Sequence, residues 1–401
     1  MKKISAAIAW TPELQQWLRE RALEAGFDTA GIAPVDQGNS DDPADTLDAE
    51  RFAAWVSAGR AGEMDYLKRR DEQGILVRSA VQVAIPWARS VIVCALNYNA
   101  SGPLSIDNPP HGAGWIARYA WSGQAANPAA NPAPNTDSEK KTTTADTTAD
   151  LIPTDYHDQL LRRLHHVEAA LQQRLPCETR CYVDTGPIVE RTVAAKAGVG
   201  WIGKNTCIIN QGLGSWLLLG VIVTSLPVAE DLPLQNAADR CGTCTRCIDA
   251  CPTDALVAPR QMDASRCIAY LTIEKKGVIP LELREPMGRH VFGCDICQDV
   301  CPWNRRAPVS AREGMLPRPQ MVNPALEWLA GMDAAEFKRQ FRGSPVDRTR
   351  RKRLQRNVAI AMGNSGEPRF VDQLETWKAA EDSILAEAAD WAISRIHADK
   401  R

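Results

Sequence analysis

The sequence predicts an α+β fold of the α/β type, joined to a cysteine-rich module and a helical C-terminal unit. Three observations carry that expectation. Apolar β-branched runs alternate with amphipathic stretches over residues 1–237, eight cysteines crowd between Cys241 and Cys301, and helical patterning dominates from Asn323 onward. The chain has 401 residues and is 44% hydrophobic, which suits two or three domains with real cores. Its formal net charge of −2 identifies no partner, so local charge must be read instead.

Along the chain, Pro12–Ala25 reads as an amphipathic helix with Thr11 as N-cap, Pro12 in its first turn and Gly26 as its stop. Ser90–Leu96, Cys181–Asp184 and Trp216–Ser225 read as buried strands, and Asp155–Leu175 and Val189–Ala197 as helices. Residues 122–153 are rich in Ala, Asn, Pro and Thr and nearly free of large apolar side chains. Such a segment cannot bury enough surface to offset its ordering entropy, so a disordered surface loop is expected there. The cysteine segment occupies 238–308. Beyond it, Asn323–Ala330, Asp333–Arg342, Arg348–Met362 and Phe370–Ile396 suggest a small α-helical repeat unit over 309–401. Within it Arg342, Arg348, Arg350, Arg351, Lys352, Arg353 and Arg356 crowd together. A solvated charged face and a phosphate-contacting surface both fit that run. No stretch approaches the roughly 20 apolar residues of a membrane span. The apolar patch of MKKISAAIAW is too short for a signal segment, so a cytoplasmic protein is expected.

The cysteines carry the chemistry. Cys241-x2-Cys244-x2-Cys247-x3-Cys251-Pro252 is the bacterial ferredoxin pattern, in which three thiolates hold one [4Fe–4S] cluster and the fourth ligates the other. Cys294-x2-Cys297-x3-Cys301-Pro302 repeats it incompletely, because Val291 stands where the first cysteine should be. Cys267 is the remaining cysteine of the segment. Cys241, Cys244, Cys247 and Cys301 would then hold one cluster, and Cys251, Cys267, Cys294 and Cys297 the other. Zinc sites of four cysteines use separated CxxC pairs, and disulfides belong to secreted chains, so neither fits as well. Cys94, Cys177, Cys181 and Cys207 are scattered and read as free buried thiols.

Upstream of the cysteines the chain carries YVDTGP at Tyr182–Pro187, then Glu190-Arg191, then AGVGWIGKN at Ala197–Asn205. With GEMDYL at Gly62–Leu67, CIAYLT at Cys267–Thr272 and GCDIC at Gly293–Cys297, these blocks closely resemble the epoxyqueuosine reductase family over roughly residues 10–370. The resemblance implies a cobalamin-binding catalytic domain over 1–237, a ferredoxin-like module with two [4Fe–4S] clusters over 238–308, and a HEAT-like tRNA-binding unit over 309–401. It implies reduction of epoxyqueuosine to queuosine at the tRNA wobble position, the last step of queuosine biosynthesis, with electrons passing from the clusters to cobalamin. It places Asp184 as the proton donor, and Arg78, Ala117, Asp184, Ile208, Leu219, Asp295 and Ile296 at cobalamin contacts. Arg191 and Lys275 fall at tRNA contacts. The implied partners are the epoxyqueuosine-carrying anticodon loop and a reducing protein such as a flavodoxin or ferredoxin, with the enzyme a monomer. One departure is visible. The family runs an ARYA-type motif almost directly into DYH, whereas here Ala117–Ala120 and Asp155–His157 flank the 122–153 insertion. Loop closure costs grow slowly with length, so the fold should survive the insertion, but access to the nearby site is affected.

The chemistry asks for a cofactor to deliver electrons and an acid to protonate the leaving oxygen. Asp184, after an apolar strand and before Thr-Gly-Pro, suits the acid, and an apolar setting would raise its pKa. Turn capping is the plain alternative for an Asp before Thr-Gly. Two other functions fit the cysteine module. A pure electron carrier would need neither YVDTGP nor AGVGWIGKN. A corrinoid reductase of the dehalogenase type would normally carry a twin-arginine leader and would not need basic C-terminal helices.

Overall fold

The computed structural model describes residues 9–36, 43–126, 151–229, 232–233 and 237–398. The N-terminal region is built around a four-stranded sheet and the helices packed on it: α1 (Pro12–Glu24), β1 (Thr29–Pro34), β2 (Ser90–Asn97), α2 (Tyr156–Arg174), β3 (Thr179–Tyr182), α3 (Glu190–Lys196) and β4 (Leu217–Thr224). Helix α1 starts where Thr11 Oγ1 accepts the N–H of Leu14 at 3.3 Å, with proline in its first turn. The strands form one sheet in the order β1–β2–β4–β3, with every neighbouring pair antiparallel. The region is therefore α+β in the strict sense.

Both faces of that sheet are covered, which explains why β2 is buried throughout and apolar from Val91 to Leu96. Ile92, Cys94 and Leu96 pack with Ile222 under α1 and α2, while Val91, Val93 and Ala95 pack with Val221 and Val223 against α3. Helix α2 lies so close to β4 that a Cβ on Gly220 would stand 2.9 Å from Leu164.

Residues 122–153 differ from the expected loop at both ends. Ser122–Ala125 and Leu151–Pro153 pair as antiparallel strands, and Leu316–Pro317 joins them as a third. Ser122 is buried and its hydroxyl donates to Thr154 O at 3.0 Å. Backbone pairing against a fixed neighbour overrides the weak strand preference of these polar residues. Residues 127–150 of the expected loop lie outside the described residues.

The cysteine segment and the C-terminal helices share a core. Ile268, Leu271, Phe292 and Ile296 are buried together with residues of α4 (Arg350–Ser365), α5 (Val371–Lys378) and α6 (Ser383–Ala398). The single helix expected over Phe370–Ile396 is thus two, α5 and α6, packed on each other. Across the middle of the chain, Trp115–Ile116 runs parallel to His290–Phe292. Ala117 N–H donates to Phe292 O at 2.8 Å, which brings the Ala117–Ala120 motif beside the second cysteine run.

Candidate functional site

The eight module cysteines stand in two groups with different surroundings. Cys241, Cys244, Cys247 and Cys301 line one cavity of about 220 Å³. Burial and the neighbouring Cys301 push the Cys247 thiol up to about 11, and burial raises Cys301, with Cys241 and Cys244 adding to it. Cys241 and Cys301 belong to a small peripheral cluster with Trp201, Ile209 and Trp303. In the other group, burial lifts Cys294 well above the ordinary thiol range, and Cys267 and Cys251 reinforce the shift. Cys267 and Cys294 pack against the large C-terminal core. Hydrogen bonding with Cys207, ahead of burial, raises Cys297. Cys207 is thus a ninth thiol at the inner group, not the isolated buried thiol its place in the sequence suggests. Thiols gathered in fours, one set around a cavity, are a donor set that fits [4Fe–4S] clusters.

The loop between the inner ligands is shaped by Gly293, which takes the left-handed φ of 68° and donates its N–H to Thr272 Oγ1 at 2.9 Å. A Cβ there would meet that of Ala117 at 2.5 Å. Asp295 follows, fully buried, its Oδ2 accepting the N–H of Arg118 at 2.7 Å. Burial and then the charge of Asp299 push Asp295 up to about 7. The structure therefore brings Ala117, Asp295 and Ile296 together. Ile208 and Leu219 meet elsewhere, in the core beneath β4. Arg78 donates to Ile188 O at 3.3 Å and lies 5.6 Å above the Tyr66 ring. Tyr66 itself is pushed to about 12 by burial, with Glu274 and Asp184 contributing, so Arg78 and Asp184 flank one phenol.

Asp184 sits two residues past β3 in the left-handed region, with φ at 57°, a costly conformation for a non-glycine residue. Its backbone N–H is held by Glu190 Oε1 at 2.7 Å. Tyr156 donates its hydroxyl to Asp184 Oδ2 at 3.1 Å, and His157 Nε2 lies 3.5 Å from the same oxygen. The side chain is still 61% exposed, so the carboxylate faces open space. His157 Nδ1 is 2.9 Å from Asp155 Oδ1, and Asp155 caps the start of α2. Arg348, from the C-terminal part, donates to Asp155 Oδ2 at 3.1 Å, contacts His157 and lies over the Tyr156 ring. Tyr119 links the two sides of the site: its ring lies 5.8 Å from that of Tyr156 and 5.9 Å from that of Phe292.

The protonation order is the reverse of the sequence expectation for Asp184. Contact with His157 holds its carboxyl below the ordinary range, outweighing the burial that would raise it. For His157, burial pulls the pKa down, but hydrogen bonds to Asp155 and Asp184 outweigh it and leave it above 6.5. The proton at rest belongs to His157, and the strand-end environment is ionic where apolarity was expected. Next to Asp184, burial raises the Glu190 carboxyl to about 7, with the Asp184 charge second.

The two expected RNA contacts are placed differently. Arg191 is exposed and donates to both Thr206 O and Thr206 Oγ1 at 3.1 Å. Lys275 is ion-paired with Glu63. The basic run 342–356 is not one surface. Arg353 donates to Ile273 O at 2.7 Å, and Arg356, 1% exposed, donates to Leu271 O at 2.7 Å and Lys275 O at 2.8 Å. Arg342, Arg350 and Lys352 are exposed. Spacing could not separate carbonyl-bound from solvent-facing cations.

Comparison with known proteins bears on the same site. Residues 240–304 match a family model described as a 4Fe-4S double cluster binding domain, and residues 78–124 one described as epoxyqueuosine reductase QueG, DUF1730. The chain is 34% identical over 382 residues to an epoxyqueuosine reductase of Xanthomonas campestris, covering 94% of this chain and 95% of that one. It is 33% identical to that of Escherichia coli, covering 96% of this chain and 89% of the relative. Among solved structures, an epoxyqueuosine reductase with an epoxyqueuosine-modified tRNA-Tyr stem loop superposes with a TM-score of 0.77 at 29% identity, over 96% of this chain and 90% of that one. A Bacillus subtilis epoxyqueuosine reductase, whose catalytic aspartate loop is swung out of the active site, matches with a TM-score of 0.76 at 28% identity, over 96% and 90%.

Proposed function

The chain belongs to the epoxyqueuosine reductase family, and from that premise we infer how its own residues carry the reaction. It is an oxidoreductase with two [4Fe–4S] clusters that reduces epoxyqueuosine to queuosine in tRNA. Residues 1–237 form the cobalamin-binding catalytic domain, 238–308 the ferredoxin-like module and 309–401 a HEAT-like RNA-holding unit. The protein works as a cytoplasmic monomer; among the described residues no helix is long and apolar enough to cross a membrane. Its electrons come from a carrier of the flavodoxin or ferredoxin class. A match along nearly the whole chain is more than an isolated carrier module or a dehalogenase-type reading would need.

The observation that carries the mechanism is the Asp155–His157–Asp184 chain. Converting an epoxide to an alkene and water takes two electrons and two protons. Bound cobalamin, reduced through the clusters, would supply the electron pair. Arg78, Ala117, Asp184, Ile208, Leu219, Asp295 and Ile296 fit it in kind, as apolar floor and polar rim. Leu219 is partly exposed beside buried Ile208, while Arg78 and Asp184 offer charged atoms at the edge. Asp155 orients His157, which holds a proton on the Nε2 facing Asp184 Oδ2. Asp184, exposed and hydrogen-bonded on one side, takes that proton and passes it to the leaving oxygen; once His157 is reprotonated from solvent, the same relay delivers the second proton and the oxygen leaves as water. The catalytic aspartate loop of the Bacillus relative, swung out of its active site, supports a loop position for this acid. Arg191 and Lys275 at the mouth hold anticodon-loop phosphates, Lys275 once released from Glu63.

The test is anaerobic reconstitution with iron, sulfide and cobalamin, followed by assay on epoxyqueuosine-containing tRNA with a strong reductant. Conversion to queuosine is expected. No conversion by the wild type, or full conversion by Asp184→Asn, would overturn the assignment.

A further inference from the structure

The outer thiol group opens under a rim of cations. The cavity bounded by Cys241, Cys244, Cys247 and Cys301 is also lined by Lys204, Arg240 and Arg246. Arg240 and Arg246 are exposed, as are Arg305 and Arg306 just beyond Cys301. Of the nearby Asp239 and Asp249, only Asp239 is matched by a cation among the described residues, and the Asp249 charge is outnumbered by the guanidinium groups. Asp239 is ion-paired with Arg260, and Asp249 accepts the Thr245 hydroxyl at 2.7 Å. Among the described residues no ion pair engages Arg240, Arg246, Arg305 or Arg306. The whole chain has a net charge of −2, so this local surplus is not the general character of its surface. The inner group, with Cys267 and Cys294 against the large core, is the poorer point of entry.

We propose that this basic rim is the docking face for the reducing partner, an acidic one-electron carrier protein. The proposal rests on the two-cluster reading above and adds to it where and by what chemistry electrons enter. In each docking the carrier is oxidised by one electron and the outer cluster is reduced by one, with no bond made or broken. Two dockings supply the pair the epoxide requires. Redox encounters of this kind use small, wet, charge-matched interfaces, where rim charges set the association rate and its salt dependence. Four exposed guanidinium groups without an ion pair among the described residues, two of them lining the cavity of a half-buried thiol group, meet that requirement, and Arg keeps its charge at any physiological pH.

The test uses the holoenzyme carrying both clusters. Stopped-flow absorbance follows reduction by a photoreduced acidic flavodoxin and, separately, by a neutral photoreduced deazaflavin. Arg240→Glu with Arg246→Glu should lower the second-order rate constant with flavodoxin by about tenfold or more and flatten its salt dependence, leaving the deazaflavin rate unchanged. The neutral pair Arg240→Gln with Arg246→Gln should show a smaller fall in the same direction. An unchanged flavodoxin rate would overturn the proposal. So would an equal loss with both reductants in the neutral pair, which marks cluster damage, or a loss confined to tRNA stem-loop affinity, which makes the rim an RNA surface. Because cluster absorbance is the readout, the result is distinct from any failure to reduce epoxyqueuosine.

Discussion

The eight thiols read as cluster ligands come from one run of chain, Cys241 to Cys301, whereas the proton-carrying groups, Asp155, His157 and Asp184, are fixed from afar: Arg348 and Asp155, which meet, are 193 residues apart. The thiols need only be near one another and held by the bond-forming requirements of iron. Asp155, His157 and Asp184 need exact mutual orientation, and they obtain it from the first turn of α2, a strained turn after β3 and a guanidinium from the C-terminal part. Electron delivery is therefore a property of a segment, and proton delivery a property of the whole fold. Variants can separate the two.

The largest effect is expected on the electron side. Cys267→Ala should remove the inner cluster, about half the iron, and abolish turnover, as measured by iron analysis and tRNA conversion. Retention of full iron would contradict the assignment of Cys267. On the proton side, Asp184→Asn should lower turnover by about 10²–10⁴-fold with both clusters intact by electron paramagnetic resonance. Asparagine tolerates the left-handed backbone better than alanine would, so this variant isolates the chemistry from the strain.

A smaller loss, about tenfold to a hundredfold, is expected for His157→Gln, with a distinctive pH signature. His157 titrates above 6.5 in the fold, so its proton is present below that value and is lost as pH rises through the folded pKa. Wild-type turnover should fall on that limb, and the limb should vanish in the variant. Asp184 works in the opposite sense: its lowered pKa stabilises the fold above the ordinary carboxylate range, and that contribution is lost as pH falls through the folded value. The least effect is expected from Arg350→Ala, a several-fold loss of stem-loop affinity with a shallower salt slope. Arg353→Ala should instead lower the melting temperature, by the equivalent of about 1–3 kcal/mol, because it leaves Ile273 O without its donor.

What could be read in the sequence follows the same division. A double-cluster module is written in spacing, and counting within the segment offers Cys267 for the vacancy that Val291 leaves, though the fold also brings Cys207 against Cys297. Asp184 stood out through its turn, but its protonation did not: the histidine that lowers it lies 27 residues earlier, on another element, and no periodicity links the two. Glu190 and Cys207 were missed as chemical groups for the same reason, since each matters through a partner on another element. The strand at Ser122–Ala125 was hidden because its composition is that of a loop, and that at Leu151–Pro153 because it is only three residues ending in proline; the pairing of both is supplied by neighbours.

The buried donors of α4 bear on how the chain can be cut. Arg356 serves the carbonyls of Leu271, Lys275 and Gly277, and Asn357 serves those of Thr272 and Val291, so one helical turn satisfies backbone on both sides of the inner thiols. A fragment ending at residue 308 would strand all five carbonyls in a core it no longer possesses. Expression trials that delete the helical tail to obtain a minimal reductase should therefore yield insoluble, iron-poor protein. The shortest autonomous form of this enzyme extends through the helices that follow the cysteines.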